Sequence, residues 1–262
     1  MKIETRIIGI ISGKGGVGKT TTSINLGTAL NYFGKSTTVI DGNLTTPNIG
    51  IYLGLVNPPV SLHDVLKGKK PAHKAVHYHK SGTRFLIASL ALRDINSVDP
   101  KKLSKVVKEL DGTCDYILLD STAGLGKDTL AVIVAVNEIL IVTNPEIAAV
   151  TDALKTMRIA KDMNKKILGT VITKSNIKNP ELPFEDIKTM LETDILGIIP
   201  KDRAVKNSHI QKDAVVHTHP RSAAAIEYKK LASKILGIEY EDKPDEPISI
   251  FEWFTKFLGF KD

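Results

Sequence analysis

Apolar residues along the chain fall into short runs, separated by longer stretches in which apolar and polar positions recur with a helical period. RIIGIIS (6–12), STTVID (36–41), RFLIAS (84–89), YILLD (116–120), EILIVT (138–143), ILGTVIT (167–173) and ILGIIP (195–200) are too short for helices. They are also too uniformly apolar for strands with one wet face, and so predict strands buried on both faces of a sheet. Residues 19–33, 100–110, 148–163, 184–191 and 221–236 carry the helical pattern, with Asp99-Pro100 and Thr151 with Asp152 as helix-start chemistry. The alternation predicts one α/β domain over residues 1–238, three layers deep, with a mostly parallel central sheet of about seven or eight strands. No internal repeat interrupts it.

The pattern changes after Gly237. EYEDKPDEP (239–247) reads as an acidic, proline-interrupted linker, and ISIFEWFTKFLGFKD (248–262) follows it. In that last segment Ile250, Phe251, Phe254, Phe257 and Leu258 form one helical stripe, widened by Trp253 and Phe260, with Glu252, Thr255, Lys256 and Lys261 on the other side. An amphipathic helix of this kind lies in a membrane interface, or docks on its own domain or a partner.

Composition narrows the classes. A chain of 262 residues with 42% hydrophobic content is enough for a substantial core. The single cysteine, Cys114, excludes an intramolecular disulfide and any metal site needing two thiolates from one chain, so a reducing, cytoplasmic compartment is expected. MKIETRIIGIISGKGG runs into a glycine-rich loop without the pattern of a secretory signal, and no apolar run reaches the roughly 18 residues of a membrane span. The net charge is +7, but residues 239–262 hold seven acids and three lysines, net −4, which leaves +11 on residues 1–238. A basic body suits polyanions: nucleotide, anionic lipid or, with less support, nucleic acid. His73, His77, His79, His217 and His219 show no metal-ligand spacing and read as solvated loop residues.

Candidate chemistry starts at ISGKGGVGKTT (11–21). Gly13, Gly18, Lys19 and Thr20 fit the phosphate-loop pattern G-x-x-x-x-G-K-[ST], between a predicted strand and a predicted helix. Its glycines let backbone N–H groups turn toward phosphate oxygens, Lys19 neutralises the β and γ phosphates, and Thr20 can hold Mg²⁺. Ile24, Leu26 and Leu30 then fix the loop on a helix buried in the core.

The form K-G-G-V-G-K-T, with a second lysine at Lys14, resembles the MinD/ParA family of ATPases, and the resemblance extends through most of residues 6–236. DGNLTTPNIG (41–50) is similar to the family's first switch, DSTAGLG (120–126) to its Walker B strand and second switch, TNPEIAAVTDA (143–153) to a MinD segment, and IIPKDRAVKNS (198–208) to a loop closing over adenine. The resemblance implies an ATPase using ATP/ADP and Mg²⁺. The nucleotide would lie on Gly13, Gly15, Gly16, Val17, Gly18, Lys19, Thr20 and Thr21, with the Gly124 N–H near the γ-phosphate, Asn176, Pro200 and Asp202 at the base, and Thr20, Asp41 and Asp120 around the metal. It further implies that Lys14 reaches the phosphates of a second subunit in an ATP-bound homodimer, resting on Glu146 otherwise. A membrane-associated protein on the inner face of the cell membrane, used for spatial positioning such as cell division, follows as an expectation. A ParA-like DNA-partitioning ATPase and a weakly hydrolytic scaffold are the alternatives. Iron–sulfur relatives of the fold need paired cysteines, which this chain lacks.

Two departures stand out. Where relatives carry D-S-P-A-G, this chain has Thr122, expected to loosen the second switch. Where they carry D-x-D, it has Asp41-Gly42-Asn43, and an amide can orient a water but cannot take its proton. Slow hydrolysis is therefore expected.

Overall fold

A computed structural model describes residues 4–95 and 97–242; the amphipathic segment 248–262, and the linker beyond Asp242, lie outside the described residues. The strands are β1 (Arg6–Ser12), β2 (Thr37–Asp41), β3 (Val76–Tyr78), β4 (Arg84–Leu86), β5 (Tyr116–Ala123), β6 (Glu138–Thr143), β7 (Lys166–Ser175) and β8 (Ile195–Pro200). They form one sheet in the order β3-β4-β2-β5-β1-β6-β7-β8, parallel except where β3 runs antiparallel to β4. All seven predicted strands are present. The eighth, β3, was read as part of a histidine loop, because VHY offers no apolar run; it is an edge strand with little to bury.

Side chains alternate across the sheet. Ile10, Leu118, Leu140 and Val142 enter one core, with α1 (Lys19–Tyr32) and α10 (Ala223–Leu236) above them. Ile11, Leu119, Ile139 and Ile141 enter the other, beneath α4 (Leu103–Leu110), α5 (Lys127–Ala135), α6 (Ile147–Asp162) and α7 (Phe184–Leu191). This period of two inside runs that look continuously apolar is what helices on both faces require. The expected three-layer architecture is the one observed.

Helix α1 is buried through most of its length, polar residues included. Asn25 receives the Val216 N–H and donates to the Thr21 carbonyl, while Thr28 donates to the Ile24 carbonyl, so its polar groups are paired inside the fold. Helix α6 begins four residues before the start chemistry expected at Thr151 and Asp152: its N-cap is Glu146, and Thr151 donates back to the Ile147 carbonyl within the helix. The Asp99 cap holds as expected, accepting from the Lys101 N–H. Shorter helices α2 (Ile49–Leu53), α3 (Leu62–Leu66), α8 (Arg203–Ile210) and α9 (Val215–Thr218) line the C-terminal edge of the strands.

The segment after Gly237 does not leave the body at once. The Tyr240 ring meets Phe33 edge-on at 5.3 Å between centroids, with the Lys229 ammonium 5.9 Å from its centre. Among the described residues, no helix is long and apolar enough to cross a membrane.

Candidate functional site

The loop from Ser12 to Gly18 connects β1, the centre of the sheet, to the N-terminus of α1, at the carboxyl ends of the strands where open α/β sheets bind ligands. Gly18 caps α1 in the left-handed region (φ 94°) and Gly16 is also left-handed (φ 77°), with open space where a side chain would stand. Both conformations favour glycine. Gly13 has a different reason: a Cβ there would come within 2.2 Å of the Asp152 backbone, so its absence lets α6 pack against the loop. The loop opens on a cavity of 920 Å³ lined by Lys14, Gly15, Gly16, Val17, Gly18, Lys19, Thr20 and Thr21. That volume suits a nucleotide-sized ligand.

Behind the loop lies a charged cluster. The Lys19 ammonium donates to the Ser121 carbonyl and sits 3.6 Å from Asp120, which is buried. Asp120 also accepts from the Thr20 hydroxyl at 2.6 Å and the Ser23 hydroxyl at 2.9 Å. A hydroxyl and a carboxylate, both hard oxygen donors, meet beside the phosphate loop. That pair fits a Mg²⁺ ion keeping most of its waters. Asp41 does not join it: its carboxylate accepts the N–H groups of Asn43 (3.3 Å) and Ile49 (3.1 Å), so it pins both ends of the first switch. Complete burial, with Asp120 nearby, pushes its pKa up to about 8. Of the two roles expected for Asp41, behind the metal or in the switch, these contacts are those of the switch.

Asn43 lines the cavity, but its amide is turned onto its own loop. The oxygen accepts the Thr46 N–H (2.9 Å) and hydroxyl (3.1 Å), and the nitrogen donates to the Thr46 carbonyl. The neighbouring Leu44 is gripped from both sides: its N–H donates to Asp128 (3.2 Å) and its carbonyl accepts from His63 Nε2 (3.2 Å). Ser89 N–H donates to the other ring nitrogen of His63, which fixes the tautomer. In the second switch, Gly124 N–H donates to the Ser12 carbonyl at 3.1 Å. Thr122, expected to loosen that segment, has its hydroxyl 2.7 Å from that of Thr129, a tie between strand end and helix.

Lys14 reaches out of the loop to Glu146 at 2.9 Å, the two side chains 42% and 40% exposed. The mutual hydrogen bond raises the lysine pKa and lowers that of the acid.

At the far end of the cavity stand Ile199, Pro200, Asp202, Val205 and His209. Asp202 spends both carboxylate oxygens on the fold, accepting from Ala204 N–H at the start of α8 and Ala224 N–H at the start of α10. These bonds fix its side chain at the base end of the cavity, with a lone pair left on each oxygen. Asn176 is exposed and stands outside the lining; Thr173 and Lys174, two or three residues earlier, take the places expected for it. Lys174, at φ 54°, donates to the Gly16 carbonyl. Tyr52 and His209, 4.4 Å apart between ring centres, were missed, since nothing in their local sequence marks them. Of the histidines expected to be solvated, His73 and His217 are exposed, whereas His77, His79 and His219 are partly buried; His79 and His217 flank the buried Asp213, at 3.7 and 2.7 Å. No group of three or more metal-ligating side chains occurs among the described residues.

A left-handed glycine loop entering a helix, its terminal lysine beside a strand-end aspartate, and two switch segments around one cavity define a P-loop nucleoside triphosphatase. The family model described as ParA, NUBPL iron-transfer P-loop NTPase, matches residues 3–236. The chain belongs to the ParA family of P-loop NTPases and stands close to MinD within it. It is 35% identical over 234 residues to an uncharacterised ATP-binding protein of Methanocaldococcus jannaschii, covering 89% of each. Its structure is similar to the Pyrococcus furiosus cell division ATPase MinD (TM-score 0.85, 35% identity, 88% of this chain and 98% of that one). It is also similar to Pyrococcus horikoshii MinD complexed with Mg-ADP (TM-score 0.84, 33% identity, 88% and 96%).

Proposed function

We propose that the chain is a MinD-like ATPase that binds ATP or ADP with Mg²⁺, closes into a dimer around two ATP molecules, and associates reversibly with a membrane surface through residues 248–262. Lys14 carries this reading. It belongs to the phosphate loop, yet its ammonium points out to a half-exposed acid at the cavity rim. Such an ion pair is easily exchanged for a stronger anion, and the triphosphate of a second subunit is one. Two facing phosphate tails repel, so cations donated across the interface make dimerisation depend on ATP.

Within each subunit the loop N–H groups and Lys19 hold the β and γ phosphates, and Thr20 with Asp120 would hold Mg²⁺, which supplies charge neutralisation there. The attacking water needs an orienting group. Asn43 is the candidate, and with its amide spent on Thr46 it offers no acceptor, so basal hydrolysis is slow. A partner protein that opens the first switch would accelerate it; a MinD relative from Aquifex aeolicus is known in a MinC:MinD complex. The location that follows is cytoplasmic, peripheral on the inner face of the cell membrane. A single short amphipathic helix binds weakly, and a dimer presenting two gains avidity, which links nucleotide to location.

The iron-transfer activity in the family description is disfavoured here: Cys114 is fully buried and its thiol donates to the Tyr116 carbonyl. A DNA-partitioning role rests on the basic body alone. Co-sedimentation with anionic liposomes and with DNA, under ATP and ADP, with and without residues 248–262, separates the readings. Lipid binding that needs ATP and is lost on truncation is expected. DNA binding indifferent to truncation, without lipid binding, would overturn the proposal.

A further inference from the structure

Besides its own Asp41, the first switch is held by side chains from outside it, and one of them belongs to a residue that no phosphate-loop signature includes. Asp128 lies in the first turn of α5 and is 8% exposed. One oxygen of its carboxylate accepts both the Leu44 N–H at 3.2 Å and the Thr45 hydroxyl at 3.0 Å. Thr45 and Leu44 directly precede Thr46, onto which the Asn43 amide is folded. So long as Asp128 keeps Leu44 and Thr45 in place, Asn43 and Thr46 stay in register and the amide stays turned inward.

Asp128 is itself joined to the second switch. Thr129, the next residue, shares a 2.7 Å hydroxyl contact with Thr122 and also donates to the Thr122 carbonyl at 3.2 Å. Two residues past Thr122 is Gly124, whose N–H donates to the Ser12 carbonyl. A γ-phosphate at the end of the loop competes for that N–H, and drawing Gly124 toward it displaces the strand end to which the first turn of α5 is fastened. The tie is short and made by two β-branched residues of restricted rotamer freedom, so displacement at 122–124 is passed on to Asp128. A second cavity, 590 Å³, is lined by Leu44, Thr45, Thr122, Lys127 and Asp128 and gives both segments room to move. Thr122 lines this cavity and the nucleotide cavity alike.

We propose that Asp128, driven through the Thr122–Thr129 tie, is the positioning residue that couples the γ-phosphate end of the site to Asn43, holding the water-orienting amide inward with a grip that ATP loosens only part of the way as it draws on the second switch. The inference rests on the ATPase reading and adds to it a latch with a direction: Asp128 restrains hydrolysis.

Three variants test it: Asp128→Ala, which removes the acceptor; Asp128→Asn, whose amide oxygen can still receive both donors; and Thr129→Val, which keeps the shape of Thr129 but cuts the tie. The readouts are exchange of the Leu44 amide by NMR and steady-state ATP hydrolysis. In the wild-type chain Leu44 is protected with ADP and partly released with a non-hydrolysable ATP analogue. Asp128→Ala exchanges about tenfold faster at Leu44 in both states and hydrolyses ATP several-fold faster at unchanged nucleotide affinity. Asp128→Asn follows the wild type. Thr129→Val shifts the opposite way, with Leu44 still protected under the analogue and turnover reduced. Leu44 exchange in nucleotide-free Asp128→Ala equal to wild type, or turnover that falls in that variant, overturns the latch; so does Leu44 release by the analogue in Thr129→Val. Absence of hydrolysis in every variant, with Leu44 exchanging faster in nucleotide-free Asp128→Ala than in the wild type, overturns the ATPase reading and leaves the Asp128 contact standing.

Discussion

Asn43 spends its amide oxygen on two donors of Thr46 and its nitrogen on the Thr46 carbonyl, and only an amide can do both. An aspartate at this position would set a carboxylate oxygen against that carbonyl, opening the loop while supplying a base for the attacking water. Asn43→Asp should therefore raise ATP turnover on the order of tenfold, measured as phosphate release at saturating ATP. An unchanged rate contradicts the role given to this amide. The residue type was legible as a departure from D-x-D, and slow hydrolysis is the expectation drawn from it. Its inward rotamer was not, because the contacts that fix it form only once the loop is folded. Lys14 and Glu146 were legible as a pair through the resemblance, whereas Asp202 was legible only in place: sequence puts it at the base end of the site, and only the fold, which brings the starts of α8 and α10 to it, shows each of its oxygens accepting a helix N–H. Asn176 went wrong by register, since the turn after β7 carries it out to solvent and leaves Thr173 and Lys174 facing the cavity.

Strands buried on both faces announce themselves as apolar runs, which is why β1, β2, β4, β5, β6, β7 and β8 were readable. Edge strand β3 and helix α5 were not. KDTLAVIVA has no clear polar face, because the exposed side of α5 itself carries Leu130 and Val134, and helix and buried strand look alike over nine such residues. The first switch owes its shape to its own Asp41, at the end of β2, and to two residues far from it in sequence, His63 in α3 and Asp128 in α5. Burial holds the His63 pKa below the ordinary 6.5, against the nearby Asp94 carboxylate and a hydrogen bond to Leu44. A depressed imidazole value means that the stability His63 contributes is complete above pH 6.5 and is lost as pH falls through the lower folded value, where the ring must charge and give up the Ser89 N–H. The stability gap between wild type and His63→Gln should shrink on acidification below pH 6.5, followed by thermal unfolding across pH. His79 and His209 are also depressed by burial and titrate in both proteins, so they cancel in that difference. A gap that stays constant with pH refutes the assignment.

For the whole molecule, the sheet gathers one kind of chemistry at one edge. The phosphate loop, both switches and the Lys14–Glu146 pair all lie at the carboxyl ends of the central strands, around one cavity. A dimer formed across this edge would bury the nucleotides and bring each Lys14 to the partner's phosphates, which no monomer geometry can do. The central claim is that Lys14 makes association depend on ATP, and sedimentation velocity tests it most directly. The wild-type chain should be monomeric with Mg-ADP and dimeric with a non-hydrolysable ATP analogue. Glu146→Ala, which frees the lysine, should dimerise at least as readily as wild type, while Lys14→Ala should stay monomeric yet bind the analogue with nearly unchanged affinity. A Lys14→Ala protein that dimerises with the analogue as the wild type does would contradict the account.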